Sequence, residues 1–119
     1  MNVTFPKSEK LCSDNAIDTL YKNGKKFIAW PVRVTYIPIT DAPTQVLIWA
    51  SKSLFKHAVD RNHLRRLMRE AYRLNKHVLC KENRHYHLAF NYIDKQIQDF
   101  HVIEKSIKKA LQRLVTLEK

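Results

Sequence analysis

The chain has 119 residues, enough for one compact domain around one core. It carries 22 Lys and Arg against 11 Asp and Glu, a net charge of +11 with neutral histidines, so its partners are polyanions. A single glycine excludes a glycine-rich phosphate loop, and no apolar run of about 18 residues is present to span a membrane.

At the N-terminus, Met1 to Lys10 lacks the apolar stretch of a secretory signal, which points to the cytoplasm. The two cysteines, Cys12 and Cys80, stand in no metal or CxxC spacing and read as free thiols. Ser13 or Asp14 is a candidate cap for a short helix. Ile17, Leu20 and Tyr21 share one of its faces, and Gly24 is expected to end it as a left-handed cap. From Phe27 to Ile39 the residues are β-branched and aromatic, in one strand or more than one. Val32, Val34 and Tyr36 alternate with Arg33, Thr35 and Ile37. Thr40 to Thr44 reads as a turn. Gln45 to Ala50 is a second strand, apolar enough to be central. Residues 58 to about 80 carry the longest helical pattern, and a polar connection follows at Glu82 to His85. Tyr86 to Ile93 has strand composition. Asp99 caps a last helix, where Phe100, Ile103, Ile107, Ala110, Leu111 and Leu114 form an apolar stripe. The sum is a single α+β domain over 1–119, a small sheet with helices packed on it.

The long helix carries the chemistry. Residues 51–80 hold eight basic and two acidic side chains, more than half of the net positive charge. At about 100° per residue, with Arg61 at zero, Arg65, Arg69, Arg73 and Arg66 fall between about 40° and 140°. Leu64, Leu67, Met68, Ala71, Leu74 and Val78 fall between about 220° and 340°. A solvated helix face normally mixes Glu with Lys four residues apart. Here Arg61, Arg65, Arg69 and Arg73 repeat like charge at that spacing, and only Asp60 and Glu70 stand at the edges. Such a face calls for an external anion, and the planar guanidinium fork suits phosphate. The stripe from Arg61 to Arg73 spans about 18 Å, the reach of several backbone phosphates.

The run Arg61-Asn62-x-x-Arg65-Arg66-x-x-Arg69-Glu70-x-Tyr72-Arg73 resembles the signature helix of the bacterial ribonuclease P protein family. Ala58-Val59 before it, and Ala50-Ser51-Lys52-Ser53 at the preceding strand end, extend the resemblance, with Ser53 where the family carries a second lysine. The resemblance implies about four strands in a mixed sheet with three helices. It also implies a two-layer sandwich of a ribosomal-protein type with a left-handed βαβ crossover, against the usual handedness. It implies a subunit that binds a catalytic RNA and the 5′ leader of precursor tRNA and assists endonucleolytic removal of that leader. Catalysis would reside in the RNA, with magnesium held through the RNA and no metal held by the protein. No further protein partner and no membrane are implied. By position, Lys52, Lys56, Arg61, Asn62, Arg65, Arg66, Arg69 and Arg73 are the expected contacts to the catalytic RNA. Ile17, Tyr21 and Arg33 are candidates for a leader cleft beside the first helix, where unpaired bases stack and basic groups follow the backbone. For Ile17 and Tyr21, plain core packing is the competing assignment.

The carboxylates form no D-x-D or D-x-E group of the kind a protein-only nuclease uses to hold metal ions. His85 and His87 share a strand face without an evident third ligand. Two other functions fit a basic sheet-and-helix domain. One is a ribosomal protein or assembly factor. The other is a DNA-binding regulator, although only Asn62 offers a base-reading amide beside the phosphate contacts.

Overall fold

A computed structural model describes residues 11, 14–39, 44–77 and 85–117. Ser13, both cysteines, Val78, most of the expected turn at 40–44 and the connection at 82–84 lie outside the described residues.

The elements run α1 (Asp14–Asn23), β1 (Lys25–Ala29), β2 (Val32–Ile39), β3 (Gln45–Ala50), α2 (Ala58–Asn75), β4 (His85–Tyr92) and α3 (Phe100–Leu117). The β-rich stretch is two strands. It breaks at Trp30-Pro31, where proline removes a ladder donor and favours a strand start. The sheet order is β1-β2-β4-β3. β1 and β4 both pair antiparallel with β2, and β3 pairs parallel with β4 through the connection that contains α2. The α+β class holds, with a four-stranded mixed sheet and three helices among the described residues.

Period-two alternation divides the sheet's faces. Val32, Val34 and Tyr36 of β2 join Val46, Leu88, Phe90 and Tyr92 in the main core, against Leu64, Met68 and Tyr72 of α2 and Ile103, Ile107 and Leu111 of α3. The opposite face carries the smaller cluster of Leu11, Leu20 and Ala89, with Ile17, Tyr21, Ile37 and Leu47 packed on it. Among the described residues, α1 is the helix that covers that side.

Three expectations change. β3 is an edge strand, and β4 takes the inner place. β4 lacks clean alternation because helices cover both of its faces, burying Tyr86 and Leu88 through Tyr92. Gly24 is not in the left-handed region. Its amide closes the last helical turn onto the Leu20 carbonyl at 2.8 Å. A Cβ there would lie 2.3 Å from that carbonyl oxygen and 3.0 Å from that of Tyr36. Glycine is needed for the backbone crowding there, from the end of α1 first and from β2 second, not for its φ.

The third change concerns α2. Its buried residues are Leu64, Met68, Ala71, Tyr72 and Asn75, while Leu67 is only half-buried and Leu74 is exposed. The buried stripe is turned toward Arg61 and Arg65, both of which are half-buried. The helix also ends at Asn75, whose side-chain amide donates to the Ala71 carbonyl at 2.8 Å.

Candidate nucleic-acid interface

The approach to α2 is a tight turn after β3. The Leu54 and Phe55 amides donate to the Ser51 carbonyl at 3.3 and 3.0 Å, and the Ser51 and Ser53 hydroxyls lie 2.7 Å apart. Arg61 fixes the next step. Its Nη1 donates to the carbonyls of Phe55 and Lys56 at 2.9 and 3.1 Å, so this cation also holds its own loop against the helix. The rest of the face is divided by burial. Lys52, Lys56, Asn62, Arg66 and Arg69 are exposed; Arg61, Arg65 and Arg73 are half-buried. Arg73 is bridged to Glu70, with Nη2 at 2.7 Å from Oε2. Arg66 and Arg69 have no carboxylate within ion-pair distance among the described residues. The like charges are therefore partly compensated at the two ends of the stripe and uncompensated in its middle.

Arg65 leaves this face for another. Its guanidinium stands over the Trp49 ring, 6.0 Å from the centroid, and its Nε is buried without a hydrogen-bond partner. Trp49 is 47% exposed at the sheet's β3 edge, on the α1 side together with Leu47. Strand register then defines a row across all four strands: Trp49 beside Asn91, Asn91 beside Arg33, Arg33 beside Ile28. The Tyr21 hydroxyl of α1 donates to Asn91 Oδ1 at 3.3 Å. Tyr21 and Arg33 thus meet around Asn91, whereas Ile17 is half-buried in the apolar cluster beneath α1. The row forms an open shelf beside α1, with an aromatic residue at one end and an exposed arginine within it.

Trp49 and Asn91 were not identifiable as site residues from sequence. Every residue of β3 after Gln45 is apolar, so alternation assigns no faces, and the parallel pairing with β4 crosses an intervening helix. His87 also lies on the α1 side, opposite Ile37 and Gln45, and burial holds its imidazole below the usual histidine range. Among the described residues, no three His, Cys, Asp or Glu side chains come together to hold a metal ion. No helix among them is long and apolar enough to cross a membrane.

The family model described as Ribonuclease P matches residues 5–115. The chain belongs to the ribonuclease P protein family. Among curated relatives, the ribonuclease P protein component of Porphyromonas gingivalis is 37% identical over 115 residues, covering 91% of this chain and 84% of that protein. The protein component from Clostridioides difficile is 32% identical, with 92% and 94% covered. The fold is similar to that of the Staphylococcus aureus RNase P protein, with TM-score 0.75 at 19% identity, covering 91% of this chain and 96% of that one. The Thermotoga maritima RNase P protein gives TM-score 0.75 at 21% identity, covering 88% and 96%. Family and relatives place the chain as a subunit in tRNA 5′ processing by ribonuclease P. Family membership sets aside the DNA-binding regulator and the ribosomal protein.

Proposed function

We propose that the α2 face binds the catalytic RNA while the shelf beside α1 receives the single-stranded 5′ leader of precursor tRNA. Lys52, Lys56, Asn62, Arg66 and Arg69 contact RNA phosphates directly, and Arg61 and Arg73 contribute through the donors left over from their internal bonds. Arg65 and Trp49 join the two surfaces. The protein positions two RNAs against each other; hydrolysis of the phosphodiester occurs at the catalytic RNA, which holds the magnesium ions on its own phosphates. In the shelf, Trp49 offers a stacking surface to an unpaired base, and Arg33 offers a guanidinium to the backbone. Tyr21 and Ile17 form the wall on the α1 side.

The observation that carries this reading is the uncompensated pair Arg66 and Arg69 in the middle of a face of like charge. A helix that repels itself at i,i+4 is relieved when phosphates neutralise it. The test is reconstitution with a bacterial catalytic RNA, this chain and precursor tRNA at low magnesium, with no other protein. Leader removal is expected to be faster than with RNA alone. A rate equal to that of the RNA alone contradicts the proposal.

A further inference from the structure

The β1 edge, on the far side of the sheet from α2, carries a second set of aromatic and basic groups, of which the proposed function uses Arg33 alone. Trp30 is 57% exposed and Ile28 is 60% exposed. Two adjoining concavities share Phe27, Ile28 and Arg113. One, of about 450 Å³, also takes in Trp30 and Lys109; the other, of about 480 Å³, reaches Lys26 and Arg33. Arg113 lies over the Phe27 ring, 4.6 Å from its centroid. The Ser106 hydroxyl donates to the Ala29 carbonyl and ties α3 to the strand edge. Among the described residues, no carboxylate lines either concavity. Glu104, nine residues before Arg113, lies about 180° away around the helix, and Asp99 stands about 21 Å along its axis.

We propose that this β1–α3 groove is a second subsite for single-stranded RNA, in which Trp30 stacks on an unpaired base and Lys109 and Arg113 hold the adjacent phosphates. Continuity supports RNA over an acidic protein segment. Ile28 and Arg33 belong both to the groove and to the cross-sheet row that starts at Trp49. Three strand spacings make that row about 14 Å long. A strand lying along it from Trp49 arrives at the β1 edge beside Trp30. Exposed tryptophan beside guanidinium and ammonium groups is the combination that binds single strands without reading their sequence. The inference rests on the leader reading of the shelf and extends the leader's path beyond it.

The chain has two tryptophans, one at each end of this path. Trp49→Phe leaves Trp30 as the only reporter at the β1 edge, and Trp30→Phe leaves Trp49 as the only reporter in the shelf. Titration of each full-length protein with a short oligouridylate is expected to quench both. Adding Lys109→Ala and Arg113→Ala to the Trp49→Phe protein is expected to weaken the Trp30-detected affinity on the order of tenfold at 0.1 M salt, from two lost phosphate contacts. Quenching of Trp49 with Trp30 unmoved overturns the groove and leaves the shelf standing. Quenching of neither overturns both. Quenching of Trp30 by polyglutamate but not by oligouridylate assigns the groove to an acidic protein segment, and an affinity untouched by the double substitution also overturns it. In the unsubstituted chain, photocrosslinking with 4-thiouridine RNA gives a parallel readout, because trypsin separates Phe27–Arg33 from the peptide with Trp49. An adduct on the Trp30 peptide is expected, and adducts confined to the Trp49 peptide contradict the proposal.

Discussion

α2 and α3 are both basic helices of 18 residues, yet they are built on different rules. α3 buries Ile103, Ile107, Ala110, Leu111, Leu114 and Val115, and its Glu104 precedes Lys108 at the favourable i,i+4 spacing. α2 buries a narrower stripe, two of whose residues are Tyr72 and Asn75, and repeats like charge through Arg61, Arg65, Arg69 and Arg73, one step further than Lys105, Lys109 and Arg113 in α3. α3 is thus an anchor with a mostly solvated outer side, and Lys109 and Arg113 stand on its flank beside β1. α2 gives up some intrinsic stability to present a row of guanidinium groups. Net charge makes the two helices alike; the buried stripe, apolar and wide in α3 and narrower in α2, separates them.

The contrast yields expected outcomes of decreasing size. Ile107→Ala in α3 removes a fully buried side chain from the main core and is expected to cost about 2–5 kcal/mol of stability. The denaturation midpoint should fall at an unchanged m-value, while the folded fraction keeps its affinity for the catalytic RNA. If that substitution instead weakens RNA binding in the folded protein, the anchor role is wrong. In α2, Arg61→Ala removes two bonds from Nη1 to the Phe55 and Lys56 carbonyls and is expected to cost about 1–2 kcal/mol, because its donor is charged but partly solvated. Arg66→Ala, on an exposed side chain, is expected to stay within about 0.5 kcal/mol. Equal stability losses at Arg61 and Arg66 would erase the division of this face into internal and outward cations.

Much of α2 was legible because a helix is local: 13 residues from Arg61 to Arg73 fix the face, the spacing and the family resemblance. The apolar residues of β2 were legible for the same reason, since alternation needs only near neighbours. What stayed hidden depends on elements distant in sequence. β4 has no clear period because α1 covers the face that α2 and α3 leave open. Trp49 becomes a site residue only when parallel pairing sets it beside Asn91 and α2 brings Arg65 over its ring. Trp30 gains significance from Lys109 and Arg113, about 80 residues later in the chain. Gly24 suggests conformational freedom from sequence, and its constraint is the crowding of its Cβ position by the Leu20 carbonyl of α1 and then the Tyr36 carbonyl of β2. The leader candidates Tyr21 and Arg33 converge on Asn91.

The most direct test of the α2 face is the salt dependence of catalytic-RNA binding. For the native chain and for Arg66→Ala combined with Arg69→Ala, the logarithm of affinity is measured against the logarithm of salt concentration. Loss of two phosphate contacts should weaken binding and flatten the slope by roughly 1.5–2 units, with the thermal unfolding midpoint nearly unchanged. A double variant whose slope matches the native one would mean that those two guanidinium groups face water when the RNA is bound.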